Sequence, residues 1–327
     1  MGRVARRLGW AAIPLAVVVG GSEVALRAAG WPTVTDARRF AHMQVYWSEP
    51  AGQVAVAHPH KETSGSFTVT TDANGLRATG TPHAVERSAT PRVMTLGCST
   101  TFGWGVDDAQ TYPARLEARL REGGHPVEVI NGGQPGYTSF QGLWLWDKTL
   151  ASYRPDVVVW GYLVQDARKV AYSDRSQAVL QQNAEFLKQN LLYRLRLYVG
   201  LKALLDDVRI EAKEDGGPEG GVYRVPPEEY VANLRAFKAR TDAIGARLVL
   251  FGFPLERAGY TEEHRRILAA AAKVLDVPLH DPQPAFERMT AAEQLYFPQD
   301  RGHANAAGLD RIAESVAGFL LEQGLVK

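Results

Sequence analysis

Arg92-Val93-Met94-Thr95-Leu96-Gly97-Cys98-Ser99-Thr100-Thr101-Phe102-Gly103 is a short apolar strand that runs without a break into a glycine-flanked loop of small residues. Downstream of it, a helix is expected over 112–121, with Leu116 and Leu120 on one face and Gly123-Gly124 as its stop. A second strand over 127–130 ends at Asn131-Gly132-Gly133-Gln134-Pro135-Gly136, and a helix over 140–150 follows. Pro155-Asp156 introduces a third strand, 157–162, continuously apolar as a strand covered on both faces should be. Helices over 227–244, 262–275 and 306–323 then alternate with strands at 247–253 and 277–280. Such alternation predicts an α/β fold, a doubly wound parallel sheet with helices on both faces. Ligands of such sheets bind beyond the carboxyl ends of the strands, which points to the segments after Leu96, Ile130, Tyr162 and Phe253.

Composition narrows the function classes. The chain has 327 residues, 45% of them hydrophobic and 22% charged, enough apolar content for a sizeable core and too much for a disordered chain. Its 37 Lys+Arg against 36 Asp+Glu give a formal net charge of +1, which excludes a protein that depends on counterion release from nucleic acid. One cysteine, Cys98, excludes an intrachain disulfide and a cysteine-based zinc site. No Gly-Lys-Ser/Thr follows the first strand, so a phosphate-binding loop is excluded too, and no cofactor is expected.

The N-terminus reads as a targeting segment over 1–30. Arg3, Arg6 and Arg7 precede an uncharged run from 8 to 21, interrupted by Glu23 and continued to Leu26. The bare run, about 14 residues, suits a signal-peptide core. Counted through Glu23 it reaches about 19 residues, about 28 Å of helix, just enough to cross a membrane with the arginines on the cytoplasmic side. Three interpretations stand: an uncleaved signal-anchor, a cleaved signal peptide, and a buried helix of a soluble protein. The first is preferred, with the following domain extracytoplasmic, and secretion after cleavage is the alternative.

Residues 31–90 read as a lead-in to a domain over 91–327. The lead-in contains Trp31, Phe40, Tyr46 and Trp47, an alternating stretch at 66–70, and the turn Asp72-Ala73-Asn74-Gly75. His58-Pro59-His60 lacks a third ligand and reads as a solvated loop rather than a metal site. An insertion over about 171–225 carries Leu187, Leu191, Leu195, Tyr198, Leu201 and Leu205 at three- and four-residue steps, the pattern of an amphipathic helix. Such a helix packs on the core, or covers the site, or lies on a membrane; 214–221 is a flexible loop.

Two segments carry reactive groups. Ser99, at the strand tip, is either a nucleophile under backbone N–H groups that stabilise an oxyanion, or part of a tight turn in which Ser99 or Thr100 caps the loop. Asp300-Arg301-Gly302-His303-Ala304-Asn305 supplies a carboxylate and an imidazole three positions apart. Either Asp300 orients His303 Nδ1 and leaves Nε2 to face a nucleophile, or Asp300 caps the final helix beside a surface histidine.

Read together, RVMTLGCSTTFGWGV, VINGGQPGYTSFQ, PDVVVWGYLVQDA and LYFPQDRGHANAAGLDRIAE resemble, in order and spacing, the SGNH or GDSL-like hydrolase family over about residues 91–323. Ser22-Glu23-Val24-Ala25-Leu26-Arg27 and Asp72-Ala73-Asn74-Gly75-Leu76-Arg77 resemble membrane-tethered bacterial members. The resemblance implies a flavodoxin-like three-layer α/β/α sandwich, Ser99 as nucleophile and first oxyanion donor, Gly136 N–H as second donor, and Asp300 and His303 as the remaining triad members. Two departures accompany it. Cys98 stands where the family has Asp, and Val164-Gln165-Asp166 stands where it has an Asn as third oxyanion donor, so Gln165 keeps an amide but adds a methylene.

The function expected is a serine esterase of the cell envelope acting on an ester or an acylated glycan, without a metal. An O-acyltransferase or deacetylase on envelope glycans is the nearest alternative. A glycan- or partner-binding module with a weakened site is the alternative outside catalysis.

Overall fold

The structure is a computed structural model that describes residues 2–31, 46–60, 65–170, 173–178, 192, 195–201, 204, 221–290, 292–300 and 302–327. The chain divides into two compact units, Met1–Val45 with Asp174–Gly221, and Tyr46–Ser173 with Val222–Lys327.

In the first unit, one helix, α1 (Gly2–Ala28), covers the expected targeting segment and accommodates Pro14. Ile13, Leu15, Val17, Val18 and Val24 are exposed on it. Among the described residues no helix is long and apolar enough to cross a membrane. Glu23 is buried, and its carboxylate accepts from Arg27 Nε at 2.7 Å and from the Leu197 N–H at 2.9 Å. Of the residues expected to form the insertion helix, Leu195, Tyr198 and Leu201 lie in or beside a helical stretch at 196–201, and Leu201 is exposed. Leu187, Leu191, Leu205 and most of the 214–221 loop lie outside the described residues.

The second unit contains the described strands. An antiparallel hairpin comes first, β1 (Val56–His60) on β2 (Gly65–Val69). Then follow β3 (Arg92–Leu96), β4 (Glu128–Asn131) and β5 (Val157–Trp160), a short antiparallel pair β6 (Lys169–Val170) and β7 (Val222–Tyr223), and β8 (Arg247–Phe251) and β9 (Leu279–His280). Five of these make one parallel sheet in the order β4-β3-β5-β8-β9. Counted within the sheet that is 2-1-3-4-5, a doubly wound order whose direction reverses beside β3.

Strand side chains alternate between two apolar layers, as the two-residue period requires. Val93, Val157, Val159, Val249 and Phe251 enter one layer with Leu116 and Leu120 of α3 (Tyr112–Glu122) and Leu309, Ile312 and Val316 of α8 (Ala306–Glu322). Met94, Leu96, Val158, Trp160, Leu248 and Leu250 enter the other, with Leu145 and Trp146 of α4 (Ser139–Lys148), Tyr230, Leu234 and Phe237 of α5 (Pro227–Ala243), and Leu268 of α6 (Glu262–Leu275). The sheet is therefore covered on both faces. Two further helices, α2 (Ser99–Phe102) and α7 (Gln283–Thr290), carry no apolar periodicity long enough to be read from sequence. The strands expected at 157–162 and 247–253 stop pairing at Trp160 and Phe251, where the chain leaves the sheet at its carboxyl rim.

The segment ahead of the sheet is tied into it. Asp72 Oδ1 accepts from the N–H groups of Asn74 and Leu76, and Tyr153 donates to Asp72 Oδ2 at 2.8 Å. Arg77, fully buried, donates to Asp108 Oδ1 at 2.8 Å and to the carbonyls of Thr68, Phe102, Gly103 and Val106. One side chain thus satisfies the carbonyls of the loop that follows α2. Its loss leaves those carbonyls and a carboxylate without their cation. Arg77→Ala is expected to lower the unfolding free energy by about 3–5 kcal/mol, read as a drop in the urea midpoint. Arg77→Lys should recover less than half of it, because an ammonium cannot reach acceptors set in a planar fork. A midpoint unchanged in Arg77→Ala contradicts this account.

Candidate active site

Strand β3 delivers Ser99 to the carboxyl rim. A Cβ at Gly97 would lie 2.2 Å from Thr101 Oγ1, so only glycine lets α2 begin directly above the strand end. Cys98 precedes the helix in extended conformation, and its side chain makes no cap hydrogen bond. It is buried in the apolar layer, its Sγ 3.2 Å from Thr100 Oγ1, and burial pushes the thiol up, so the sulfur is no competing nucleophile. Ser99 itself is 7% exposed, and its hydroxyl lies 2.8 Å from His303 Nε2.

The imidazole comes from the segment before α8. There the Phe297 N–H donates to the His303 carbonyl, the Asn305 N–H to the Leu295 carbonyl, and Tyr296 bridges Ala304. Asn305 caps α8 by accepting from the Gly308 N–H at 3.0 Å, which leaves Asp300 free of the capping role open to it in the sequence. Asp300 Oδ2 instead lies 2.5 Å from His303 Nδ1. An ionised carboxylate only accepts, so Nδ1 carries the proton and, in the neutral ring, Nε2 accepts from the Ser99 hydroxyl.

A second histidine meets the same carboxylate oxygen. His60 Nε2 lies 3.3 Å from Asp300 Oδ2, and the ring is 2% exposed, edge-on to Phe67 and Phe297. The solvated loop expected at His58-Pro59-His60 is therefore a strand, β1, that carries a buried imidazole to the site. Among the described residues no group of three His, Cys, Asp or Glu is placed to hold a metal.

Gly136 and Gln165 follow β4 and β5, the two strands that flank β3. The loop after β4 lies against α2 because Gly133 has no side chain: a Cβ there would lie 2.4 Å from the Phe102 amide nitrogen. Gly136 takes φ +74°, and a Cβ there would meet nothing within 4 Å. The Gly136 carbonyl and the Gln165 amide oxygen both accept from Arg224. Thus Ser99, His303 and Asp300 are joined by hydrogen bonds, while Gly136 and Gln165, from the strands that flank β3, share a cation. Arg224 had no signal of its own, His60 was read only as part of a solvated loop, and Arg77 stood only at the end of the Asp72–Arg77 block.

A profile of the GDSL-like Lipase/Acylhydrolase family matches residues 95–311, about two thirds of the chain and every one of these site residues except His60, Arg77. The chain belongs to that family. It is an ester-hydrolysing enzyme of the GDSL type. Among solved structures, a lipase/acylhydrolase from Enterococcus faecalis superposes with TM-score 0.50 at 14% identity, over 73% of this chain and 98% of its own, a likeness of fold. TesA gives TM-score 0.47 at 21% identity, over 70% and 97%. A catalytic mutant of Axe2, an acetylxylan esterase from Geobacillus stearothermophilus, gives 0.45 at 17% identity, over 73% and 96%. No curated protein matches the sequence.

Burial alone would raise the Asp300 carboxyl, but the hydrogen bond and charge of His303, the hydrogen bond from His60 and the Gly302 N–H outweigh it and hold it at about 2. An acid held below its ordinary 3.8 adds stability that is fully present above that value and is lost as the pH falls towards about 2. In urea unfolding of wild type and Asp300→Asn, the difference in stability should be flat near neutrality. Below the ordinary carboxylate range it should move against the wild type. Parallel curves down to about pH 2 would contradict a depressed Asp300.

Proposed function

We propose that the chain is a serine esterase in which Ser99 is the nucleophile, His303 the general base and Asp300 the group that orients it. The unbroken path from Asp300 Oδ2 through His303 to Ser99 Oγ, in steps of 2.5 and 2.8 Å, carries this proposal. In the first half-reaction Ser99 Oγ passes its proton to His303 Nε2 and bonds to the ester carbonyl carbon. The oxyanion that forms is held by the N–H groups of Ser99 and Gly136 and by Gln165 Nε2. His303 then protonates the departing alkoxide, and the ester C–O bond breaks to leave an acyl-serine. Water, deprotonated by the same imidazole, releases the acid and restores Ser99. One such donor contributes about 3–4 kcal/mol to the transition state, so a usable Gln165 amide separates a working enzyme from a feeble one.

The substrate class is an ester or an acylated glycan of the cell envelope, with the domain held outside the cytoplasm through the segment over 1–30. Arg3, Arg6 and Arg7 ahead of the apolar run support this placement.

Ser99→Ala and His303→Ala should each lower kcat/KM for p-nitrophenyl acetate by about 10⁴-fold or more, and the double variant should be little worse, since the members act as a unit. Hydrolysis retained by purified Ser99→Ala rejects the assignment. For the tether, full-length chain should stay with carbonate-washed membranes, whereas a shortened soluble form would reject it.

A further inference from the structure

Arg224 follows β7, where the chain pairs back onto β6 and closes the neck of the insertion. Its backbone N–H donates to the Arg168 carbonyl at 2.8 Å, and the next N–H, of Val225, to the Asp166 carbonyl at 3.3 Å. These bonds register Arg224 against the turn that holds Gln165. The half-buried guanidinium then reaches three oxygens. Nη1 donates to the Gly136 carbonyl at 2.7 Å and to Gln165 Oε1 at 3.1 Å, and Nη2 donates to Gln141 Oε1 at 3.1 Å. Gln141 Oε1 also accepts from the Thr138 N–H at 3.0 Å, so the same cation reaches the first turn of α4.

The chemistry of the two groups decides what this does to Gln165. A guanidinium has donors and no acceptor, so only the oxygen end of a carboxamide can face it. With Oε1 occupied, Nε2 becomes the end that Gln165 presents elsewhere. Gln165 carries one more rotatable bond than the asparagine the family places there, and an unrestrained glutamine would spread its donor over several rotamers. Donors stabilise an oxyanion only when already aimed before charge develops.

We propose that Arg224 is the positioning residue of the oxyanion hole: it locks the Gln165 carboxamide with Nε2 as the outward donor and anchors Gly136 by its carbonyl, leaving the Gly136 N–H for the substrate. Arg224 thereby compensates for the added methylene of Gln165. The hydrogen bonds described for it go to neither the nucleophile nor the base, and its effect passes through two other residues. This inference rests on the assignment of Ser99 and the oxyanion donors above.

The test is p-nitrophenyl acetate hydrolysis by the full chain, with thermal melts of each variant. Gln165→Ala should lower kcat by about 100-fold or more, and Arg224→Ala by at least about tenfold, with KM little changed in both. Arg224→Ala on top of Gln165→Ala should cost less than it does alone, because the side-chain donor it aims is already gone and only its hold on Gly136 remains to be lost. Gln165→Glu separates positioning from mere packing. It keeps an oxygen for Arg224 and a full melting temperature, yet offers no donor, so its kcat should fall as far as that of Gln165→Ala. Full additivity, an unchanged kcat in Arg224→Ala, or an active Gln165→Glu overturns the proposal. If Arg224→Ala does not fold, Arg224→Lys decides in its place: it should melt near wild type and still lose kcat, and wild-type kcat in it overturns the proposal. Ser99→Ala measured alongside separates the two levels. Activity surviving in it removes the underlying assignment, whereas activity lost in it and kept in Arg224→Ala removes only the role of Arg224.

Discussion

The hydrogen bond between Ser99 Oγ and His303 Nε2, 2.8 Å long, joins side chains 204 residues apart, and the site exists only while both are held to it. Each side chain is fixed by its neighbours in sequence together with packing from distant parts of the chain. Ser99 is fixed by β3, whose residues are buried on both faces, and by the absence of a side chain at Gly97. His303 is fixed by the segment that closes on Leu295 and by α8, whose Leu309, Ile312 and Val316 share an apolar layer with Leu116 and Leu120 of α3. The distance between them is thus a consequence of sheet and helix packing, and a close-packed interior resists the small displacements that would open it. Because doubly wound order reverses beside β3, the strands on either side deliver Gly136 and Gln165 to the same rim.

Polar chemistry then refines what packing delivers. Residues 46–90 belong to the same compact unit as the sheet, and two of their polar side chains reach the site or the loop next to it. Arg77 holds the loop that follows α2, and His60 completes the hydrogen bonding of the Asp300 carboxylate. Each is a buried polar group whose partners lie in another part of the chain. Such groups are costly when unpaired, so they specify one arrangement more sharply than apolar contacts do.

Sequence and structure diverge along this line between apolar and polar. Strand period and helix period are local, so β3, β4, β5 and β8 and the helices α3, α4, α5, α6 and α8 were readable within a few residues. The errors fall at their ends, as at Tyr162, where pairing rather than hydrophobicity decides. Ser99, Asp300 and His303 were legible because a strand-tip serine and an Asp-x-x-His block each have a local shape. His60 was not: a histidine beside a proline looks the same in a solvated loop and against a buried carboxylate. Arg224 sits in a segment with no periodicity, and the acceptors described for it come from two different strand ends and a helix. The targeting segment was read from its arginines and the length of its apolar run, and the hydrogen bonds that bury Glu23 have no counterpart in either measure.

The central claim is that the fold makes one hydroxyl nucleophilic, and reaction with a fluorophosphonate followed by intact-protein and peptide mass spectrometry tests it most directly. A single adduct on the peptide that contains Ser99, formed by the native chain and absent after unfolding in urea, is the result predicted here. An unmodified Ser99 in fully folded protein, or an adduct carried by a different residue, would contradict it.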